Sequence, residues 1–236
     1  MRANRTIRYT AGLTFCVILG ALSGQPATGA SRGANSGYFS VQPDLRLCPA
    51  PACGGYFVAL LNRPSGNCPS GGHLALCRVA TVDWSGLGLD PAATADLQKA
   101  VLAGRGVVRG ELQADGRAAA SVGTSRLVVT EGWIAAGDRP PRGGFFQVAG
   151  NGIVCVTTPC FTLRQSLVNT TRQGDFSDLN LAGAGAPQAS RDAASAALAD
   201  GSILVAGRLR NVPNGGPVAG VELVASQFYL RVGDSH

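Results

Sequence analysis

The sequence contains very little histidine, and this shortage limits the chemistry that it can support. Its only histidines are His73, in a glycine-rich stretch, and His236, at the end of the sequence. A hydrolytic triad relies on a histidine to carry the proton, and zinc sites often use histidine beside cysteine. The sequence therefore argues against a triad hydrolase, and we predict no catalytic residue and no metal site.

Long apolar runs are lacking as well. The longest, within residues 11–22, has about a dozen residues, whereas a membrane-spanning helix needs about 20. Three arginines precede this run and small residues follow it, which is the pattern of a secretory signal peptide. We predict a signal peptide over residues 1–30, with cleavage after Ala30 or Ala27, and a secreted or periplasmic bacterial protein with no membrane span.

Charge is also scarce, since only 14% of the residues are charged. Removal of residues 1–30 takes away three arginines and no acid, so the formal net charge falls from +6 to +3. Binding of single-stranded nucleic acid needs a basic groove with exposed stacking aromatics, and most aromatics here lie in apolar, strand-like segments. The glycines lack the context of a phosphate-binding loop. We predict no nucleic-acid partner and no cofactor.

What the sequence does contain is an internal repeat. Residues 37–62 align with residues 144–169 without a gap, at an offset of 107, and seven of 26 positions are identical. In the first copy these positions are Gly37, Phe39, Val41, Cys48, Cys53, Leu60 and Asn62. Further on, VDWSGLGL aligns with GDFSDLNL at an offset of 92. This alignment pairs Asp83 with Asp175 and Trp84 with Phe176, and predicts about fifteen extra residues in the first copy.

The fold class follows from the pattern within each copy. Aromatic and β-branched runs bounded by glycine, proline and asparagine predict strands, and Asp90 followed by Pro91 predicts the start of a helix. Each copy is predicted to be a β-β-β-α-β-β unit, which is the element order of an OB-type barrel. We predict a mainly β or α+β tandem repeat of OB-like small barrels, divided as 37–137 (first repeat), 138–143 (linker) and 144–233 (second repeat).

Six cysteines follow the predicted signal peptide, namely Cys48, Cys53, Cys68, Cys77, Cys155 and Cys160. An even number in an exported chain indicates a disulfide framework. The spacing favours three local bonds, each between sequence neighbours, and a bridge between the two Cys-x4-Cys units is the alternative. A four-thiolate zinc site fits less well, because an exported chain meets an oxidising compartment and the two units lie far apart in sequence. A thioredoxin-like redox pair also fits less well, because Pro49 and Pro51 oppose the helix that lowers a thiol pKa.

One block resembles a known family. It comprises Leu45, Arg46, Cys48, Cys53, Gly54, Gly55, Tyr56, Phe57, Val58, Asn62, Arg63, Cys77, Asp83, Trp84, Gly88 and Leu89. Through these residues the chain resembles an uncharacterised domain family of exported bacterial proteins that is common in myxobacteria. The resemblance implies secretion and tandem β-rich repeats, and it carries over no catalytic residue.

The predicted function is a non-catalytic binding or structural module of the cell envelope or exterior, with an unknown protein or glycan as its partner. The candidate binding residues are Trp84, Asp83, Asn62 and Arg63. One alternative is a hydrolase that uses carboxylates in a cleft between the repeats. The candidate carboxylates are Asp83, Asp90, Glu111 and Glu131. Another alternative is a secreted protease inhibitor that presents the proline loop between Cys48 and Cys53, which ring closure would preorganise.

Overall fold

The computed structural model describes residues 35–47, 53–114, 125–156, 158–201, 203–213 and 219–233, so the predicted signal peptide lies outside the described part. The first half contains β1 (Ser36–Pro43), β2 (Tyr56–Leu60), β3 (Gly66–Asn67), β4 (His73–Leu74), β5 (Cys77–Val79), β6 (Thr81–Asp83), α1 (Pro91–Leu102), β7 (Gly106–Ala114) and β8 (Ser125–Ala135). The second half contains β9 (Gly144–Gly150), β10 (Leu163–Leu167), β11 (Gln173–Phe176), β12 (Asp178–Asn180), α2 (Gln188–Ala197), β13 (Ile203–Val212) and β14 (Gly220–Arg231).

Twelve of these strands form one sheet, and β8 and β14 join its two halves. The main hydrogen-bonded path runs β11-β10-β9-β13-β14-β8-β7-β1-β2-β5. Strands β8 and β14 pair antiparallel, with Ile134 opposite Leu230. The hairpin of β3 and β4 stands apart from this sheet. The prediction of a mainly β fold is confirmed, and α1 begins as predicted, with Asp90 accepting hydrogen bonds from the N–H groups of Ala92 and Ala93 at 2.9 Å.

The predicted barrels are not closed, because the third strand of each half is split in two. In the first half β5 pairs with β2, whereas β6 pairs in parallel with β8. Ala80, between β5 and β6, donates its N–H to the carbonyl of Ser125 at 2.7 Å. Ser177, between β11 and β12, donates to Val221 at 2.8 Å in the same way. The strand order therefore follows an OB-type unit while the sheet stays open.

The structure also corrects the alignment of this third strand. Short 3-10 helices, Ser85–Leu87 and Ala182–Ala184, occupy the same place in the two halves and fix an offset of 97 instead of 92. Trp84 immediately precedes the first and Leu181 the second. The counterpart of Trp84 is therefore Leu181 and not Phe176, and the insertion in the first half has ten residues instead of fifteen.

Side-chain hydrogen bonds agree with the corrected offset. The Asp83 carboxylate accepts from the N–H of Ser85 at 3.0 Å, and the Asn180 amide oxygen accepts from Ala182 at 3.1 Å. Asn180, and not Asp175, is thus the counterpart of Asp83.

Each half has its own apolar core, and a third core lies where the halves meet. This shared core contains Trp133, 1% exposed, and Tyr229, 2% exposed. The ring of Tyr38 lies 5.3 Å from that of Trp133, and the ring of Phe145 lies 5.9 Å from that of Tyr229. The first half contributes Tyr38 and Trp133, and the second half contributes Phe145 and Tyr229. Neither half therefore completes this aromatic core alone.

Asn62, a predicted binding candidate, joins the two halves. It follows β2 with a φ of 57°, a left-handed conformation that asparagine tolerates better than most residues. Its side-chain amide donates to the carbonyls of Phe145 and Val168 at 2.7 and 3.1 Å. Its oxygen accepts from the N–H of Phe145 at 2.8 Å. All three bonds cross from the first half to the second.

Asn169 makes the reciprocal contacts from the second half. Its φ is 60°, its amide donates to Tyr38 and Leu61 at 2.8 and 2.9 Å, and its oxygen accepts from the N–H of Tyr38 at 2.8 Å. A Cβ on Gly37 would lie 2.6 Å from the Asn169 oxygen, so only glycine fits there. We call the six hydrogen bonds of Asn62 and Asn169 the asparagine clamp.

Gln165 is an unusual residue in the core of the second half. It lies on β10, is only 8% exposed, and its side-chain oxygen has no hydrogen-bond partner among the residues that the structure describes. At the repeat offset of 107 its counterpart is Val58, which is buried in the core of the first half. A buried acceptor without a partner costs free energy that an apolar side chain would not.

We expect Asn62→Gly to lower the free energy of unfolding by about 2 to 4 kcal/mol, because glycine keeps the positive φ while three hydrogen bonds are lost. Equilibrium urea unfolding would measure this. Asn169→Gly should cost a similar amount. A loss below about 0.5 kcal/mol for both variants would contradict the clamp.

Gln165→Val should instead raise the free energy of unfolding by about 1 kcal/mol, because it removes the unpaired buried oxygen. Gln147→Val is the matched control. The Gln147 oxygen accepts from the Tyr38 hydroxyl at 3.1 Å and its nitrogen donates to Gly201 at 3.0 Å, so this variant should be destabilised in the same urea titration. Equal losses in both variants would rule out the unpaired oxygen as a source of instability.

Candidate functional site

Two equivalent loops lie at the hairpin ends of the halves. The first loop, residues 44–55, connects β1 to β2, and the second loop, residues 151–162, connects β9 to β10. Strands β1 and β9 both begin at the asparagine clamp, and five antiparallel pairings separate them in the sheet. Each strand leads from the clamp into its own loop.

A disulfide closes the second loop between Cys155 and Cys160. This bond rules out the alternative of a bridge from Cys155 or Cys160 to the first repeat. In the first loop Cys53 is disulfide-bonded, and its predicted partner, Cys48, lies outside the described residues. The remaining pair, Cys68 and Cys77, is bonded as its spacing predicted and closes the insertion that carries β3 and β4.

Both loops present aliphatic side chains to solvent. Among the described residues, the four most exposed large apolar side chains all lie here: Leu45 (82%), Leu47 (103%), Val154 (93%) and Val156 (100%). The next in exposure, Leu74, reaches only 50%. Single exposed apolar residues are common on proteins, but this concentration on two equivalent loops is a specific feature of the molecule.

Asp44 holds the base of the first loop. Its side chain is fully buried and forms a bidentate ion pair with Arg46, with both N–O distances 2.8 Å. The guanidinium of Arg46 also lies 5.1 Å from the centre of the Phe57 ring. Hydrogen bonds from the Arg46 side chain, aided by the positive charges of Arg46 and Arg78, lower the pKa of Asp44 from its ordinary value of 3.8 to about 2.

Two glycines of the family block let the loop rejoin the sheet. Gly54 and Gly55 have φ values of 89° and 77°, a conformation that favours glycine. A Cβ on Gly55 would clash with the carbonyl oxygen of Val79. Arg78, 3.4 Å from Asp44, also donates to the carbonyl of Gly54 at 3.0 Å. The base of the first loop is thus fixed by charge and backbone together.

The second loop has an asparagine at the corresponding place, and its amide also hydrogen-bonds Asp175, which pairs with Arg164 at 2.9 Å. Asn151 is the counterpart of Asp44 at the offset of 107. Its amide donates to the carbonyl of Phe161 at 2.7 Å, and its oxygen accepts from the N–H of Ile153 at 3.0 Å. At equivalent positions the first loop therefore has an ion-paired aspartate and the second an asparagine that contacts an ion-paired aspartate.

The four predicted binding candidates do not come together in one site. Asn62 belongs to the clamp, and Arg63 beside it is exposed. Trp84 is half-buried and packs against the core of the first half. The side chain and N–H of Ser85 both donate to Asp83 and lower its pKa. Asp83 thus caps a turn.

The carboxylates proposed for a hydrolase are likewise engaged elsewhere or exposed. Asp90 caps α1, and Glu131 pairs with Arg109 at 2.8 Å. Glu111 lies on the exposed face of β7. None of these contacts forms the pair of facing carboxylates that glycoside hydrolysis needs.

Within the described ranges, no cluster of three or more potential metal ligands occurs. The helices of that part are also too short or too polar to cross a bilayer.

Part of the first loop belongs to the block that carried the family resemblance, namely Leu45, Arg46, Cys53, Gly54 and Gly55. A family model described as Domain of unknown function (DUF6748) matches residues 37–235. The chain belongs to this family. The DUF6748 match covers both halves of the sheet, so the two repeats together form the family's unit. Comparison with curated proteins and with solved structures gives no match.

The exposed loop residues were missed by sequence reasoning. Leu45 and Leu47 resemble ordinary strand residues in a sequence, and Val154 and Val156 lie in the apolar run GIVCV. The useful signal was the pair of cysteines, because a hairpin end that is closed by a short disulfide keeps the side chains around it out of the core.

We expect Asp44→Asn to lower the free energy of unfolding at neutral pH. We also expect this free energy to fall less in the variant than in the parent when the pH is lowered. A carboxyl whose folded pKa is depressed stabilises the fold fully above its unfolded pKa of about 3.8, and this stabilisation disappears as the pH falls towards 2. Urea unfolding at pH 2 to 7 measures both effects. Asp96→Asn, at an exposed position of α1, is the control and should follow the parent curve. A parent-like curve for Asp44→Asn would disprove this role.

Proposed function

We propose that this protein is a non-catalytic binding module of the bacterial cell envelope or exterior, and that its first and second loops bind a partner protein. The observation that carries the proposal is the exposure of the four aliphatic loop side chains, which is 82% or more in each case. Burial of such side chains in a partner's apolar pocket would stabilise a complex by roughly 1.5 to 3 kcal/mol each.

The loops support binding because they are held in place before a partner arrives. The Cys155–Cys160 disulfide and the Asn151 hydrogen bonds restrain the second loop. The Asp44 ion pair restrains the base of the first. A restrained loop loses less conformational entropy on binding, so more of the contact energy appears as affinity.

A protein partner fits these side chains better than a lipid surface does. Proteins that insert into the membrane interface usually use tryptophan and tyrosine, whose rings suit the headgroup region. The exposed apolar side chains here are leucine and valine. Aliphatic side chains that are this exposed gain free energy when an apolar pocket of a protein partner removes them from water.

The test is site-specific photo-crosslinking in the native host, with the crosslinker placed at Val156 or at Leu47 in the full-length chain. We expect one envelope or extracellular protein to be crosslinked from at least one of these positions, and not from Leu102, an exposed position on α1. The crosslinked protein is then purified, and its affinity for the mature chain is measured by calorimetry. Val154→Asp with Val156→Asp, or Leu45→Asp with Leu47→Asp, should weaken binding at least tenfold.

If the loops bury apolar side chains on binding, calorimetry at several temperatures should also show a negative heat-capacity change. Unchanged affinity in both double variants would contradict the proposal. A second contradicting result would be that the parent chain binds phosphatidylethanolamine–phosphatidylglycerol vesicles and that the double variants do not. That result would assign the loops to a membrane surface.

A further inference from the structure

The segment that connects the halves borders a groove rich in arginine. Two adjoining clefts of about 310 and 410 Å³ share Arg142 and Ser226 in their walls. Arg208 lines the first cleft and Arg139 the second, and no carboxylate of the described residues lines either cleft. We call this combined feature the arginine groove.

The backbone around the groove is fixed, so its arginines project from a defined surface. Ser226 accepts a hydrogen bond from the N–H of Arg142 at 2.8 Å, and its hydroxyl lies 3.0 Å from the carbonyl of Ala206. This carbonyl is at a β-bulge, where the register of β13 against β14 shifts between Ala206 and Gly207. The connecting segment is therefore bonded to the bulge.

Arg142 and Arg208 have no ion-pair partner in the part of the chain that the structure describes. Arg139 donates to the carbonyl of Gly183 at 2.9 Å, and its side chain lies near the carboxylate of Asp138 beside Gly185. Arg210, two positions beyond Arg208 on the same strand, is by contrast paired with Glu222. The strand thus neutralises one arginine and leaves the other exposed beside the groove.

The first half has the same scaffold without this positive charge. It carries the equivalent bulge between Arg109 and Gly110, and Thr130 donates to the Arg109 carbonyl at 3.3 Å as Ser226 does in the second half. The residue after the bulge glycine is Glu111 in the first half and Arg208 in the second. Because the same backbone carries either sign, folding does not require the arginine.

We propose that the arginine groove binds the phosphate or sulfate groups of an anionic glycan. A guanidinium offers parallel N–H donors that match the oxygens of these groups, and charge-assisted bonds of this kind are among the strong ones. Arg142 and Arg208, with no ion-pair partner among the described residues, suit a ligand with more than one anionic group. Among the residues that the structure describes, no aromatic side chain lines either cleft, so this part of the groove lacks the stacking surfaces that nucleic-acid bases use.

The test measures binding of a fluorescent heparin-derived hexasaccharide to the mature full-length chain. Arg142→Ala and Arg208→Ala should each weaken binding about tenfold. Arg208→Glu, which installs the residue of the first half, should weaken it further. Each removed contact should also lower the slope of log K against log salt by about one. Arg172→Ala is the matched control, because Arg172 is exposed and lies elsewhere in the second half, and its binding should stay within twofold of the parent.

Three results would overturn the proposal. An equal loss for Arg172→Ala would show general attraction by charge. Full competition by millimolar inorganic phosphate would assign the groove to the free anion. Tighter binding of a single-stranded oligonucleotide, lost in the same variants, would assign it to nucleic acid. Circular dichroism melting checks that each variant folds. Val156→Asp should leave hexasaccharide affinity unchanged, so this test is independent of the loop proposal.

Discussion

The asparagine clamp is the interaction on which the rest of the structure depends. Asn62 and Asn169 each end a strand and satisfy backbone groups at the start of a strand in the opposite half. Buried backbone groups that lack a partner are costly, so the clamp fixes where β1 and β9 begin. Because each of these strands leads directly into one of the two disulfide-bearing loops, the clamp also fixes the strands from which those loops extend.

Much of this organisation could be read from the sequence, and the failures have physical causes. The repeat, the local disulfides and the cap of α1 depend on residue type and spacing, which a sequence displays directly. The third strand was misaligned because the second half has an Asp-aromatic-Ser pattern at Asp175, five residues before the true counterpart of Asp83. A split strand gives no continuous alternation that could correct the error.

The clamp and the loops were missed for a different reason. An asparagine after a strand usually indicates a turn, and nothing in a single copy shows that its amide reaches the other half. The exposure of Val156 and Leu47 depends on where a hairpin leaves the sheet, which apolarity alone cannot show. In both cases the function of a side chain is set by long-range pairing, and local pattern is a poor guide to it.

The pairing of β8 with β14 has a consequence for oligomeric symmetry. Ile134 lies opposite Leu230, and the two occupy equivalent positions in their halves, so each strand meets its own counterpart about a two-fold axis. This is the isologous contact of a homodimer, in which one patch serves both partners. The surface that one half presents is therefore complementary to an equivalent surface on a second copy of the same half. Covalent fusion of two copies removes the requirement that they be identical, which is what permits one protomer-like unit to carry Glu111 where the other carries Arg208.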